Sequence, residues 1–293
     1  MANVRRVLVV DDSRTTRAML SAVIQDHPGL TVVAEASNGR EAVELVQKRR
    51  PDIVTMDVRM PGMDGIEATE LIMSSHPTPI VIVAGAARDA EVRASLEAME
   101  LGALAVLPKP RGPLAPEFQT DCAALQRTLV ALADVRVVTR RRSARDRPVE
   151  RQESAKRRST CSAVALAAST GGPCVLRQIL GDLPADLPAP VLVVQHIAPG
   201  FVEGLAEWLN EATSLEVSVA RSEDPLRRGR VYVAPDEHHL GVRQGRVLLD
   251  ESPAIGRFRP SADFLFESAA RAYGQGLFAG ILTGMGVDGV AGL

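Results

Sequence analysis

Residues 7–12 read VLVVDD, four apolar side chains running without a break into two aspartates. A short Val/Leu run of this kind is the mark of a strand buried on both faces, as in a parallel sheet. Beyond it Met19, Leu20, Val23 and Ile24 recur at helical spacing, so a helix with one apolar face follows the strand. The same alternation repeats along the chain. Apolar runs at 32–36, 53–56, 80–83 and 105–107 are separated by helix-length segments, and residues 116–134 read as a closing helix. Five strand–helix units predict an open, doubly wound parallel sheet with right-handed crossovers.

From residue 136 to 158 the pattern stops. Ten Arg or Lys stand against three Asp or Glu, with no apolar periodicity. Such a stretch reads as a solvated linker. A basic patch for nucleic acid is the sharper alternative, but no aromatic residue interleaves the arginines as base stacking requires. After it, α/β alternation resumes, with strand candidates at 164–168, 191–194, 217–220, 231–234 and 278–282. Residues 231–234 and 247–249 flank a glycine-containing turn region and are expected to pair antiparallel. The organisation read from the chain is therefore 1–134, an arginine-rich linker at 135–158, and a second α/β domain at 159–293.

Composition agrees with two soluble domains. Apolar residues make up 46% and charged residues 24% of the 293, and the net charge is -2. These values give no reason to expect nucleic-acid or membrane binding by the whole chain, and no stretch approaches the ~18 apolar residues of a membrane span. The 3% aromatic share predicts cores of Val, Leu, Ile, Ala and Met. Three cysteines, Cys122, Cys161 and Cys174, lack metal-ligand spacing and suit a reducing cytoplasm. Cys174 follows Ser169 by five residues but has no base paired with it in sequence.

Chemistry gathers at the carboxyl ends of parallel strands. Asp11, Asp12, Asp57 and Lys109 each follow a predicted strand. Singly they have plain structural readings: Asp12 as a helix cap, Asp57 as a turn residue, Lys109 as an idle surface charge. Jointly they form an acidic pocket. Three carboxylates at one sheet edge repel unless a cation lies among them, and Mg²⁺ with oxygen ligands meets that need. A carboxylate can accept a phosphoryl group, and a lysine can meet the new charge.

On LVVDDSRTTR, TMDVRMPGMDG and LPKP the segment from residue 4 to 134 resembles a response-regulator receiver domain. The resemblance implies a flavodoxin-like sheet of order 2-1-3-4-5. It implies Asp57 as phosphoacceptor, Asp12 and Asp57 as Mg²⁺ ligands, Asp11 acting on the metal through water, and Lys109 contacting the phosphate. Two positions depart from that pattern. Ala84 stands where receivers carry Ser or Thr, and Val106 where they carry an aromatic ring. The first cannot donate to a phosphoryl oxygen and the second has no ring to turn inward, so the conformational readout of phosphorylation is expected to be weaker.

The second domain presents Ser169 in AASTGGP, His196 in VVQHIAPG and Asp288 in LTGMGVDG, each just beyond a predicted strand. Ser169 can stand on a strand-to-helix turn whose glycines allow close approach and whose N–H groups face a developing anion. Ala167 breaks the GxSxG pattern, so an α/β-hydrolase reading is weak. A serine in a glycine-rich cap and a structural histidine are the plain alternatives. His238, His239, Asp236 and Asp250 offer further imidazoles and carboxylates without so clear a strand before them.

Together ASTGG, QHIAPGF, VYVAPDEHHL, FRPSADFLF and ILTGMGVDG resemble the methylesterase domain of the CheB family, over residues 162–293. The receiver–linker–esterase order is similar as well. The resemblance implies a cytoplasmic, phosphorylation-regulated esterase of chemotaxis that hydrolyses glutamate γ-methyl esters on chemoreceptors, releasing methanol, and deamidates glutamines. Ser169 would be nucleophile, His196 general base and then acid, and Asp288 its orienting carboxylate. The backbone N–H of Met285 would help form the oxyanion hole, with Thr170 lining the site. No cofactor is needed for the ester chemistry, and the chemotaxis histidine kinase would donate the phosphoryl group. Phe258 opens FRPSAD where the family commonly has histidine. Residue 293 lies five residues after Asp288, so the catalytic domain is expected to be incomplete at its C-terminus. The competing reading is a catalytically weak or inactive receiver-type signalling module. A DNA-binding regulator would need a helix-turn-helix pattern that the chain lacks.

Overall fold

The computed structural model describes residues 4–85, 89–137, 161–284 and 286–293. The chain divides into two compact units, Met1–Arg141 and Arg142–Leu293. Most of the arginine-rich segment lies outside the described residues, as does Met285.

The first unit alternates β1 (Arg5–Val10), α1 (Arg14–Gln25), β2 (Leu30–Ala36), α2 (Gly39–Arg49), β3 (Ile53–Met56), α3 (Gly65–Ser75), β4 (Ile80–Ala84), α4 (Asp89–Glu100), β5 (Ala105–Pro108) and α5 (Phe118–Leu132). The sheet order is β2-β1-β3-β4-β5, with every pair parallel, as the sequence reading expects. β1 is buried on both faces because helices cover both. Val7 and Val9 join a core with Leu20, Ile24, Leu125 and Leu129, while Leu8 and Val10 are buried on the opposite side. On α1 the buried set is Leu20, Ser21, Val23 and Ile24. Met19 is only half-buried; Ser21 turns inward instead, its hydroxyl donating to Glu35 Oε1 at 2.7 Å. The N-cap of α1 is Ser13, whose hydroxyl accepts from Thr16 N–H, so Asp12 is free of the capping role.

α3 begins where it does because Asp64 accepts from the N–H groups of both Ile66 and Glu67. Gly65, the next residue, sits against the strand end that carries Asp57. A Cβ there would lie 2.0 Å from the Asp57 carbonyl oxygen, so only glycine lets this turn close beneath the acidic pocket.

The second unit contains β6 (Ala163–Ala168), α6 (Gly172–Asp182), β7 (Val191–Gln195), α7 (Val202–Asn210), β8 (Glu216–Val219), β9 (Arg230–Val233), β10 (His239–Arg243), β11 (Arg246–Asp250), α8 (Ala262–Tyr273) and β12 (Leu277–Ile281). Its main sheet runs β12-β6-β7-β9-β8, all parallel. The alanines of β6 keep that strand thin. Ala165 and Ala167 pack in one cluster with Ala262, Leu265, Phe266 and Ala269 of α8.

Two expectations need correction. Residues 231–234 do not pair with 247–249. β9 is a central parallel strand between β7 and β8, and β11 instead pairs antiparallel with β10 around Gln244–Gly245. Gln244 and Gly245 both have positive φ, 51° and 73°, the signature of a two-residue hairpin turn. The aliphatic-core expectation also fails in part, because Tyr232, Phe201 and Phe266 are the largest fully buried side chains. Few aromatics are present, but these three are fully buried.

Candidate functional sites

On the first unit β1 and β3 are neighbours, so the loops after them meet. Carboxylate oxygens of Asp11, Asp12 and Asp57 all lie within 4.8 Å of one another. Asp11 is fully buried, Asp57 nearly so, and Asp12 is exposed. Lys109 reaches in from the end of β5: its Nζ lies 2.8 Å from Asp11 Oδ2 and 2.7 Å from Asp57 Oδ2. It is therefore not an idle surface charge. Asp11 Oδ1 also accepts from the Ser13 N–H at 2.9 Å.

Burial pushes the Asp57 carboxyl up, and its hydrogen bond with Lys109 only partly opposes this; the charge of Asp11 adds to the rise. Burial would lower Lys109, but its bonds to Asp11 and Asp57 win and raise it. Three carboxylates against one ammonium leave an excess of two negative charges. An all-oxygen donor set with that excess fits a divalent hard cation. Ala84 is fully buried at the end of β4, its carbonyl accepting from the Lys109 N–H at 3.0 Å, and Val106 is buried on β5.

On the second unit the order β12-β6-β7 sets three strand ends side by side, and Ser169, His196 and Asp288 follow them. Backbone bonds lock these ends together. The Ser169 N–H donates to Thr283 O at 2.8 Å, and the His196 N–H donates to Ala168 O at 2.9 Å. Ser169 thus follows the middle strand, between the backbone segments that lead to His196 and to Asp288. Gly284, at φ 152°, passes so close that a Cβ would lie 2.7 Å from Ser169 Cβ.

His196 Nε2 lies 3.0 Å from Asp288 Oδ2, an ion-pair approach whose N–H direction runs off the line of a good hydrogen bond. Asp288 is 4% exposed. It accepts the Ser261 hydroxyl on Oδ1 at 2.6 Å and the Ala262 N–H on Oδ2 at 2.7 Å. Burial raises its carboxyl, but the His196 contact, the hydroxyl and the N–H outweigh that and hold it at about 2. It stays a carboxylate throughout the neutral range.

The other sequence candidates occupy different roles. His239 is buried: Nδ1 accepts from the Ser261 N–H at 3.1 Å, Nε2 faces Pro253 O at 3.2 Å, and the ring stacks on Phe264. His238 binds Asp236 O at 2.9 Å through Nδ1. Asp250 accepts from the Ser252 N–H. Asp236 accepts from the Gly200 N–H at 2.7 Å and is raised by burial. It lines, with His196, Phe258 and Arg257, a cavity of about 160 Å³ beside the imidazole. Thr170 receives the Thr283 hydroxyl on its carbonyl oxygen.

Gln195 belongs to the site although no motif singles it out. Its Nε2 donates to the carbonyls of Ser169 at 2.8 Å and His196 at 2.9 Å, tying together the segments that bear both side chains. The one signal for it in the sequence is a polar residue ending an otherwise apolar strand directly before His196. Phe258, singled out in the sequence only as a departure from the family's histidine, is a neighbour of the imidazole. Its ring lies on His196 with centroids 4.3 Å apart and planes 12° from parallel.

A histidine facing a buried aspartate, with a serine at the adjoining strand end, is the residue set that serine hydrolases use, joined here in one chain to an acidic, lysine-bearing receiver fold. Comparison with known proteins agrees. Residues 164–293 match the family model for the CheB methylesterase and residues 7–114 that for the response regulator receiver domain. The chain is 50% identical to protein-glutamate methylesterase/protein-glutamine glutaminase 4 of Myxococcus xanthus, over 98% of this chain and 82% of that one. It is 48% identical to protein-glutamate methylesterase/protein-glutamine glutaminase 3 of Anaeromyxobacter dehalogenans, over 98% and 84%. Among solved structures it resembles the Thermotoga maritima CheB methylesterase catalytic domain, at 42% identity and TM-score 0.43, over 45% of this chain and 72% of that one. It also resembles the response regulator domain of Thermotoga maritima CheB, at 36% identity and TM-score 0.41, over 46% and 99%. The chain belongs to the CheB family of protein-glutamate methylesterases.

Proposed function

We propose that this chain hydrolyses γ-methyl esters of glutamate on chemoreceptors and deamidates receptor glutamines, under the control of phosphorylation on its receiver unit. The observation that carries the ester chemistry is the 3.0 Å approach of His196 to the buried Asp288, with Ser169 on the strand between them. Ser169 Oγ attacks the ester carbonyl as the imidazole takes its proton. The tetrahedral oxyanion collapses, and methanol leaves with that proton. Water then attacks the acyl-enzyme through the same imidazole, releasing glutamate and the serine hydroxyl. Asp288 orients the ring and stabilises the imidazolium. The Met285 N–H is proposed as an oxyanion donor, with Thr170 lining the site. A glutamine amide would pass through the same tetrahedral intermediate and release ammonia.

In the receiver, Asp57 is the proposed phosphoacceptor and Lys109 the cation that meets the phosphoryl group. Asp12 and Asp57 would hold Mg²⁺ directly and Asp11 through water. The ion, when bound, neutralises charge on the donor and acceptor oxygens. A histidine kinase of the chemotaxis system is the proposed phosphodonor, and the cytoplasm the proposed compartment. Among the described residues no helix is long and apolar enough to cross a membrane.

The test is methanol release from methylated receptor membranes, with and without a small phosphodonor and Mg²⁺. Release above the protein-free level, increased by the phosphodonor, is expected; no chain-dependent release in either condition overturns the proposal. Asp57→Asn is expected to keep basal release while losing both the phosphodonor-dependent increment and acid-stable, hydroxylamine-labile phosphoryl incorporation. Because Ala84 and Val106 are buried without a hydroxyl or ring, Ala84→Ser is expected to enlarge the phosphodonor-dependent increment. An unchanged increment would show that this hydroxyl is not what limits the readout.

A further inference from the structure

The segment between β11 and α8 touches both halves of the histidine–carboxylate pair. Ile255 and Phe258 exchange backbone hydrogen bonds in both directions, at 3.2 and 3.1 Å, closing a tight turn over Gly256 and Arg257. Gly256 supplies the positive φ, 63°, that the turn needs. The turn delivers the Phe258 ring flat onto the imidazole of His196. Three residues later Ser261, fully buried, gives its hydroxyl to Asp288 Oδ1 at 2.6 Å, and the next N–H, of Ala262, goes to Oδ2. Ser261 is itself fixed, since its N–H donates to His239 Nδ1. Arg259, between the two, pairs with Glu237 and donates to the Glu251 carbonyl oxygen at 3.3 Å, anchoring the segment on its outer side.

We propose that Phe258 and Ser261 are positioning residues of the esterase, one holding the plane of the His196 ring and the other holding the rotation of the Asp288 carboxylate. This rests on the esterase reading above. An imidazole has two soft torsions, and its one carboxylate contact is off-axis, so that contact alone fixes the ring's position poorly. A flat apolar ring at 4.3 Å removes the remaining tilt and keeps water off that face. The carboxylate has one oxygen to offer Nε2 only while the other is engaged, and the Ser261 hydroxyl engages it. Neither residue gives or takes a proton or forms a bond in the proposed reaction. Both act by narrowing the spread of geometries from which proton transfer starts.

The test uses the full chain and four variants: Phe258→Leu, Phe258→Tyr, Ser261→Ala and Ser261→Thr. Three readouts are taken: kcat and KM for methanol release, the rate at which a fluorophosphonate labels Ser169, and the ¹⁵N resonances of the His196 ring. Phe258→Leu and Ser261→Ala are expected to lower kcat and the labelling rate by about 10-fold or more, with KM within about twofold. Both should move or broaden the His196 ring signals in the absence of substrate. Phe258→Tyr and Ser261→Thr, which keep the ring or the hydroxyl, are expected to recover most of the rate. Unchanged kcat and ring signals in Phe258→Leu overturn the clamp, as does a rise in KM at constant kcat, which would make Phe258 a substrate contact. Should Ser261→Ala fail to fold, the Phe258 pair and Ser261→Thr still decide. If the unaltered chain neither labels at Ser169 nor releases methanol, it is the esterase reading that fails; the ring signals report on the clamp in either case.

Discussion

Replacing Ser169 with alanine is expected to lower methanol release by about 10⁴-fold or more, to the level of protein-free membranes. The substitution removes the oxygen that forms the acyl bond in the proposed mechanism. The fold does not depend on it. Ser169 is held by its backbone, with its N–H on Thr283 O and its carbonyl accepting from Gly172 N–H and Gln195 Nε2. Its hydroxyl carries no hydrogen bond to His196 among the described residues, so alanine leaves the strand ends in place. A Ser169→Ala chain with unchanged thermal stability and residual release above about one-hundredth of the original would show that another group attacks the ester.

Asp288→Asn is expected to cost about 10⁴-fold in kcat. The carboxylate accepts the Ser261 hydroxyl on one oxygen and the Ala262 N–H on the other, and His196 Nε2 lies 3.0 Å from the latter. An asparagine amide has one acceptor oxygen. If its oxygen keeps the Ala262 N–H, the stabilising charge beneath the imidazolium is still gone. If its amide group turns that way, it meets the N–H head-on and no longer offers the imidazole an acceptor, so the ring loses the partner that holds its tautomer.

The same carboxylate sets a pH dependence. Its pKa falls from 3.8 to about 2 on folding. A group depressed in the folded state contributes stability that is full above the unfolded value and is lost as pH falls through the folded value. Its contribution therefore fades between about pH 4 and pH 2. Trp208, the single tryptophan, is buried on α7 of the second unit, so its fluorescence reports unfolding there. In urea, the stability gap between the chain and Asp288→Asn is expected to be wide at about pH 6 and to narrow at about pH 2.5. A gap that stays constant would mean that the carboxylate's charge carries no net stabilisation.

Much of the fold and of both sites is legible in residue type and spacing. Val7, Val9, Ile53 and Val81 form short apolar runs that no amphipathic helix would show, and the runs lead into residues unsuited to a core. That pairing of strand and terminal Asp, Lys, Ser or His is enough to place the chemistry at one sheet edge, because parallel strands present all their carboxyl ends on the same side. Sequence reasoning errs where pairing is non-local. Residues 231–234 and 247–249 look like a hairpin from their spacing, but Val231, Tyr232 and Val233 are buried in the parallel sheet between β7 and β8. Tyr232, Phe201 and Phe266 escape a compositional argument because composition reports how many aromatics exist, not where they lie.

The sequence alone determined the alternation of strands and helices, the acidic pocket with its lysine, and the order Ser169, His196, Asp288, since each depends on residue type and short-range spacing. Only the tertiary structure decided which groups support them. Phe258 lies 62 residues from His196 in the chain, and Ser261 lies 27 from Asp288. Ring stacking and a buried hydroxyl–carboxylate bond act through space over a few ångströms. They come into being only when the crossover connections have folded the turn after β11 back over the ends of β7 and β12, and no local pattern in the chain encodes that approach.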